Sequence, residues 1–136
     1  MRRVVVTGIG TINSTGHNVK DSFKAVVDGV CGIDTITLFD ASDFSVKIAG
    51  EVKDFDPTTV MDKKEVKKAD RFIQLGIKAG LEAMIDAGYV TQENKKVDAS
   101  IADRFGIISG SGIGGLSTIE KNSVVCETKG SRKVSP

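Results

Sequence analysis

Six residues, Gly110-Ser111-Gly112-Ile113-Gly114-Gly115, carry the pattern G-x-G-x-x-G. Small residues at that spacing let a backbone come close to a phosphate, a ligand chain or another strand, because no Cβ stands in the way. In a dinucleotide site the loop would lead through a helix into a second strand ending on a carboxylate about 20 positions on. The stretch in that place is Gly130-Ser131-Arg132-Lys133-Val134-Ser135-Pro136, which holds two cations and no carboxylate. On these residues alone, dinucleotide binding and a loop that needs small residues merely to pack both stay open.

A second pattern is Lys63-Lys64-Glu65-Val66-Lys67-Lys68-Ala69-Asp70-Arg71, five cations and two anions in nine residues. On one helix, Lys64, Lys67, Lys68 and Arg71 stand at i, i+3, i+4 and i+7 and share a face. Arg132 and Lys133 form a further basic pair. Concentrated positive charge attracts an acidic partner and speeds encounter. The plainer alternative is a solvated helix face with local Glu–Lys pairing. A cationic first turn opposes the helix dipole, which points to a use other than helix stability.

The remaining reactive side chains are sparse. His17 is the sole histidine and lies in a turn pattern, where a surface role is expected. Cys31 and Cys126 show no metal or disulfide spacing, and only His17 could activate either as a nucleophile. Asp40, Asp43, Asp54 and Asp56 have no spacing that singles out an acid/base pair.

The elements that must position these residues alternate. Arg2–Ile9 reads as a buried strand, and Thr11–His17 as a turn. Asn18 is the expected N-cap of a helix running to Gly29. Residues 31–44 look irregular, Ser45–Asp54 reads as an edge strand, and Asp56-Pro57 opens a short helix at most. The clearest helix spans Lys63 to Ala87, with Gly88 at its end. Its apolar stripe is Phe72, Ile73, Gly76, Ile77, Gly80, Leu81, Met84 and Ile85. Gly76 and Gly80 on that stripe imply a second backbone packed against it, since each costs about 1 kcal/mol of helix propensity. Thr91–Asp103 reads as polar surface, Arg104–Gly110 as a strong strand and Leu116–Thr128 as a helix, with Gly130–Pro136 a loop. The class expected is α/β.

Composition bounds the function. The chain has 136 residues, 40% hydrophobic and 27% charged, with a net charge of +1. No global field argues for nucleic acid or membrane, and one Tyr, six Phe and no Trp make a poor base-stacking surface. The apolar run after Arg3 is too short for a secretory core, and no run approaches a membrane span. A reducing cytoplasm is the expected compartment.

Taken together, the residues resemble the N-terminal part of the bacterial β-ketoacyl-[acyl-carrier-protein] synthases, the type II elongating synthases of fatty acid synthesis in particular. The resemblance rests on Arg3–Gly10, Gly32-Ile33, Phe39-Asp40, Ile48–Asp56, Asp70-Arg71-Phe72-Ile73-Gln74, Ala87-Gly88, Ile108–Gly115 and Arg132–Pro136, in the family's order and spacing along the whole chain. Asn13-Ser14-Thr15 departs from it where the family usually has a proline, and a local loop change is expected there.

The resemblance implies a thiolase-like fold, two α/β halves in αβαβα layers, working as a homodimer. Residues 1–136 would be most of the first half, an incomplete ketosynthase domain without an internal boundary. The implied reaction is a decarboxylating condensation of an acyl-enzyme thioester with malonyl-carrier protein. The family's nucleophilic cysteine lies beyond the Arg-Lys-Val-Ser-Pro stretch, and its two histidines lie in the second half. The 136-residue chain alone is therefore expected to be inactive, with no catalytic residue, metal or cofactor of its own. What carries over is binding. Ile113, with Gly112 and Gly114, matches the far end of the acyl pocket. Lys64, Lys67, Lys68, Arg132 and Lys133 match the positions that dock the acyl and malonyl carrier protein. The alternatives are a non-catalytic carrier-binding module and a dinucleotide-binding protein.

Overall fold

The computed structural model describes residues 2–134. Met1 and the Ser135-Pro136 end of the Arg132–Pro136 stretch lie outside the described residues.

Helix α1, Val19–Val27, begins as its sequence predicts: the Asn18 side chain accepts from the Asp21 N–H at 2.8 Å. It stops at Gly29, whose φ of +69° suits glycine, with Val30 N–H donating back to Ala25 O at 2.8 Å. Its small side buries Ser22 and Ala25, while Phe23, Val26 and Val27 stay exposed.

The sheet is smaller than expected. Strand β1, Asp34–Thr35, pairs antiparallel with β2, Ile48–Ala49, in the register Asp34↔Ala49 and Thr35↔Ile48. So the supposedly irregular residues 31–44 hold a strand, and Ser45–Asp54 is a strand only at its centre. Asp56 caps a 3-10 turn, Pro57–Thr59, by accepting from the Thr58 N–H at 2.9 Å.

The long helix is two helices. Helix α2, Lys63–Val66, ends before Asp70, whose extended backbone (φ −62°, ψ 158°) precedes α3, Arg71–Asp86. Gln74, buried, reaches back from α3 and donates to Val66 O at 3.2 Å and Ala69 O at 2.9 Å, carbonyls the break would otherwise leave bare. At its far end α3 repeats the stop of α1: Gly88 has φ +76°, and Tyr89 N–H donates to Met84 O at 3.0 Å. Helix α4, Ala99–Ala102, lies inside the segment expected to be mere polar surface. Helix α5, Leu116–Lys129, matches its expectation, and a 3-10 turn, Ser131–Lys133, follows.

Arg2–Ile9 and Arg104–Gly110 are not strands. A strand exists only where a neighbour takes up its backbone groups. The first segment lies along α3 instead. A Cβ on Gly8 would collide with Ala83 O and stand 2.6 Å from Ala87 N; one on Gly10 would collide with Ala79 O. One of its N–H groups and one of the turn after it find carboxylates of α3: Ile9 N–H donates to Asp86 at 3.0 Å and Thr11 N–H to Glu82 at 3.1 Å. The second segment is held at its start, where the Phe105 ring meets Tyr89 edge-on with centroids 4.7 Å apart, and further along Ile107 is 93% exposed. Gly76 and Gly80 also differ from expectation: among the described residues nothing lies within 4 Å of a Cβ at either. The buried residues are few, Ala25, Ala41 and Val90 with Ser22 and Gln74.

Candidate functional site

The Gly110–Gly115 loop is open along most of its length. A Cβ on Gly110 or Gly112 would meet nothing within 4 Å, and Ile113 is 68% exposed. The loop closes on itself where Gly114 N–H donates to Ser111 Oγ at 3.0 Å. Gly114 has φ +82°, a conformation that other residues adopt only with strain. The Phe72 ring packs beside it. The loop thus meets a neighbour as its composition predicts, but the neighbour is the start of α3.

Gly115 is the N-cap residue of α5 and brings no side chain to that role. The space is taken by Asp70, 45 positions earlier in the chain: a Cβ on Gly115 would overlap Asp70 Oδ2. The other carboxylate oxygen accepts from Thr118 Oγ1 at 2.7 Å, in the first turn of α5. Asp70 stands at the N-cap of α3 yet makes no side-chain bond to that helix. Its carboxylate serves α5 instead, where negative charge suits the helix dipole.

Next to it, Arg71 turns back toward the segment after β2. Its guanidinium donates to Val52 O at 3.0 Å and Phe55 O at 3.4 Å and stacks over the Phe55 ring, 5.1 Å from the centroid. His17 meets the same ring edge-on, centroids 6.1 Å apart. Arg71 therefore leaves the cationic face predicted for a single helix. Lys64 lies on α2, and Lys67 and Lys68 lie in the turn between α2 and α3. All three are exposed, and no ion pair among the described residues engages them; the pairs are Lys24–Asp28 and Lys53–Asp34. Arg132 and Lys133 are exposed in the 3-10 turn after α5.

The structure joins the Gly114–Gly115 end of the loop to the Lys67–Asp70 turn, although the sequence holds them far apart. It sets Arg132 and Lys133 at the opposite end of α5, about 20 Å along the helix at 1.5 Å per residue. Sequence reading missed the Asp70–Thr118 bond, the Arg71 clamp and the double role of Glu82, which also accepts from Val19 N–H at 2.8 Å. A visible signal was the Asp directly ahead of an apolar helix; its partner was not visible.

Gly112, Ile113 and Gly114 do not line either of two clefts found elsewhere. One, of about 350 Å³, is bordered by Asn18, Thr59, Lys78, Leu81 and Glu82. The other, of about 310 Å³, lies between the Asn13–His17 turn and the hairpin, with Cys31 on its wall. There Glu51 accepts from the Thr37 hydroxyl at 2.7 Å and from the Thr37 and Leu38 N–H groups, holding its carboxyl below the usual range. Asp34 is lowered likewise, by Lys53 Nζ at 2.9 Å and then by the Thr35 N–H. Cys31 and Cys126 are free and exposed, and neither begins a helix. Asp40 and Asp56 each accept within their own turn, from the Ser42 and Thr58 N–H groups, so these two serve local structure. No helix among the described residues is long and apolar enough to cross a membrane.

Residues 1–136 match the family model described as "Beta-ketoacyl synthase, N-terminal domain". The chain belongs to the β-ketoacyl synthase family. A "3-oxoacyl-[acyl-carrier-protein] synthase 2" of Vibrio harveyi is 49% identical over 136 residues, 99% of this chain and 31% of that protein. The protein of the same name from Coxiella burnetii is 43% identical over 135 residues, again 31% of its length. The chain thus spans about a third of the curated relatives it matches. Among solved structures, "The ishigamide ketosynthase/chain length factor" superposes with a TM-score of 0.74 at 28% identity, over 99% of this chain and 32% of that one. The resemblance read from the residues is thereby confirmed, and with it an α/β chain of ketosynthase type, here helices with one small sheet.

Proposed function

We propose that residues 1–136 act as the N-terminal portion of an elongating 3-oxoacyl-carrier-protein synthase. In that reaction an acyl group passes from carrier protein to an enzyme cysteine. Malonyl-carrier protein then loses CO2, and its carbanion attacks the thioester. The observation that carries this reading is the match to relatives of that name over 99% of the chain. The cysteine and histidines of the chemistry lie in the remainder of the enzyme, and this chain supplies binding surface.

Three assignments follow. Ile113, flanked by Gly112 and Gly114, closes the far end of the acyl pocket once the rest of the enzyme surrounds it. Lys64, Lys67, Lys68, Arg132 and Lys133 dock the acidic carrier protein, a role supported by their exposure and their freedom from ion pairs among the described residues. The exposed apolar residues Val4, Val6, Phe72, Ile73, Ile77, Ile107 and Ile108 pack in the interior of a five-layered homodimeric enzyme. Apolar surface on that scale marks a site of further burial.

The docking assignment is tested by reversing charge at Lys64, Lys67 and Lys68 in the complete enzyme. Carrier-protein affinity is expected to fall by about tenfold or more, with a flatter dependence on salt. Binding unchanged across the series discards the docking claim.

A further inference from the structure

We propose that Asp70 is a positioning residue for the acyl-pocket loop. Its carboxylate locks the start of α5 to the start of α3 and so sets where Ile113 stands. The inference rests on the reading of Ile113 given above and adds to it a residue outside the loop that controls its place.

The geometry has three parts. Asp70 Oδ1 accepts from Thr118 Oγ1 at 2.7 Å, one turn into α5. Asp70 Oδ2 occupies the space that any side chain on Gly115 would need. Asp70, though placed to cap α3, gives that helix no side-chain bond, so its carboxylate is committed to α5. Gly115 itself has no group with which to cap α5. Ile113 is two residues from this junction, and Gly114, between them, is held at φ +82° beside Phe72, a direct neighbour of Arg71 on α3. Further along the loop, a Cβ on Gly110 or Gly112 would meet nothing within 4 Å among the described residues. The Asp70–Thr118–Gly115 junction is therefore the anchored end of a loop with open space around Gly110 and Gly112. A shift there carries Ile113 with it.

The arrangement predicts an unusual coupling. Alanine at 115 collides with Asp70 Oδ2 and lies 2.6 Å from its Cγ, but only 3.4 Å from its Cβ, an ordinary contact. Asp70→Ala should therefore rescue Gly115→Ala.

The test uses the complete enzyme with Gly115→Ala, Asp70→Ala, the double variant, Thr118→Val and Ile113→Phe. Two quantities are read: the ratio of kcat/KM for long against short acyl primers, and the thermal unfolding temperature. Gly115→Ala is expected to move the ratio by about tenfold, Asp70→Ala and Thr118→Val by about threefold, and the double variant no further than Asp70→Ala. Thr118→Val keeps the side chain's shape and loses the hydroxyl that donates to Asp70, so it remains informative if Asp70→Ala fails to fold. A Gly115→Ala effect equally large in the Asp70→Ala background overturns the proposal. So does a ratio unmoved in the Asp70 and Thr118 variants while unfolding temperatures drop, since Asp70 is then structural only. An unmoved ratio in Ile113→Phe overturns the acyl-pocket reading instead, and the Asp70–Gly115 contact is then judged by the coupling in unfolding temperature.

Discussion

Two pairs of glycines, Gly8 with Gly10 and Gly76 with Gly80, look equally purposeful in the sequence and differ in the structure. The first pair presses its backbone onto α3, so close that a Cβ at either position would collide with a helix carbonyl. The second pair sits on α3 itself and faces open space among the described residues. Spacing on a helix shows that a close approach is possible. Only a backbone arriving from elsewhere makes it real. The approach that does occur is fixed by carboxylates, since Glu82 and Asp86 take N–H groups of the arriving segment.

The comparison breaks most sharply at Gly10. Gly10→Ala places its Cβ against Ala79 O and 2.7 Å from Ala83 N, backbone atoms that cannot swing aside. A loss of about 3 kcal/mol is expected, read from the denaturant midpoint. A loss below about 1 kcal/mol would show that the segment does not lie on α3.

Glu82→Ala comes next. It removes the acceptor of both Thr11 N–H and Val19 N–H, one in the arriving segment and one at the start of α1. About 2 kcal/mol should be lost, and Glu82→Gln, which keeps an acceptor oxygen, should lose less. Equal losses would mean that charge, not hydrogen bonding, holds the segment.

Gly80→Ala should act in the opposite direction. With open space at the site, α3 gains about 1 kcal/mol of helix propensity, visible as slower amide exchange along the helix. The same substitution destabilising the complete enzyme would reveal a backbone packed there, as the sequence pattern implies.

The smallest effect is in the hairpin. The Asp34 and Glu51 carboxyls are lowered in the folded state, so their contribution is present above the ordinary carboxylate pKa and lost as pH falls through the folded values. Faster exchange of the Thr37 and Leu38 amides is expected as pH falls from 6 to 3, after correction for intrinsic rates. Both groups are exposed to solvent, so the change should be modest. Glu51→Gln should abolish most of it.

The residues announced much of this in advance, for local reasons. The Asn18 cap, the glycine stops at Gly29 and Gly88, the Asp56-Pro57 turn and helix α5 each depend on neighbours within a few positions. The family is written along the chain as well, since its segments recur in order. Arg2–Ile9 and Arg104–Gly110 differ from their expected strands because an apolar run states only that burial is wanted; it does not name the neighbour that completes a ladder. Helix α3 is shorter than the pattern over Lys63–Ala87 predicts, for a similar reason. Nothing in Lys63–Ala87 shows that Gln74 will fold back on Val66 and Ala69, or that the Asp70 carboxylate will be claimed from a distance.

Sequence alone, then, determined the Asn18 cap, the glycine stops at Gly29 and Gly88, the glycine-rich loop, the supply of cations and the family. Tertiary structure alone decided which glycines meet a backbone, where α3 begins, and that Asp70 sits at the foot of the loop carrying Ile113. The division follows range: a cap or a helical period is closed within one or two turns of chain. A ladder, a collision or a carboxylate shared between helices needs atoms that the sequence keeps dozens of residues apart.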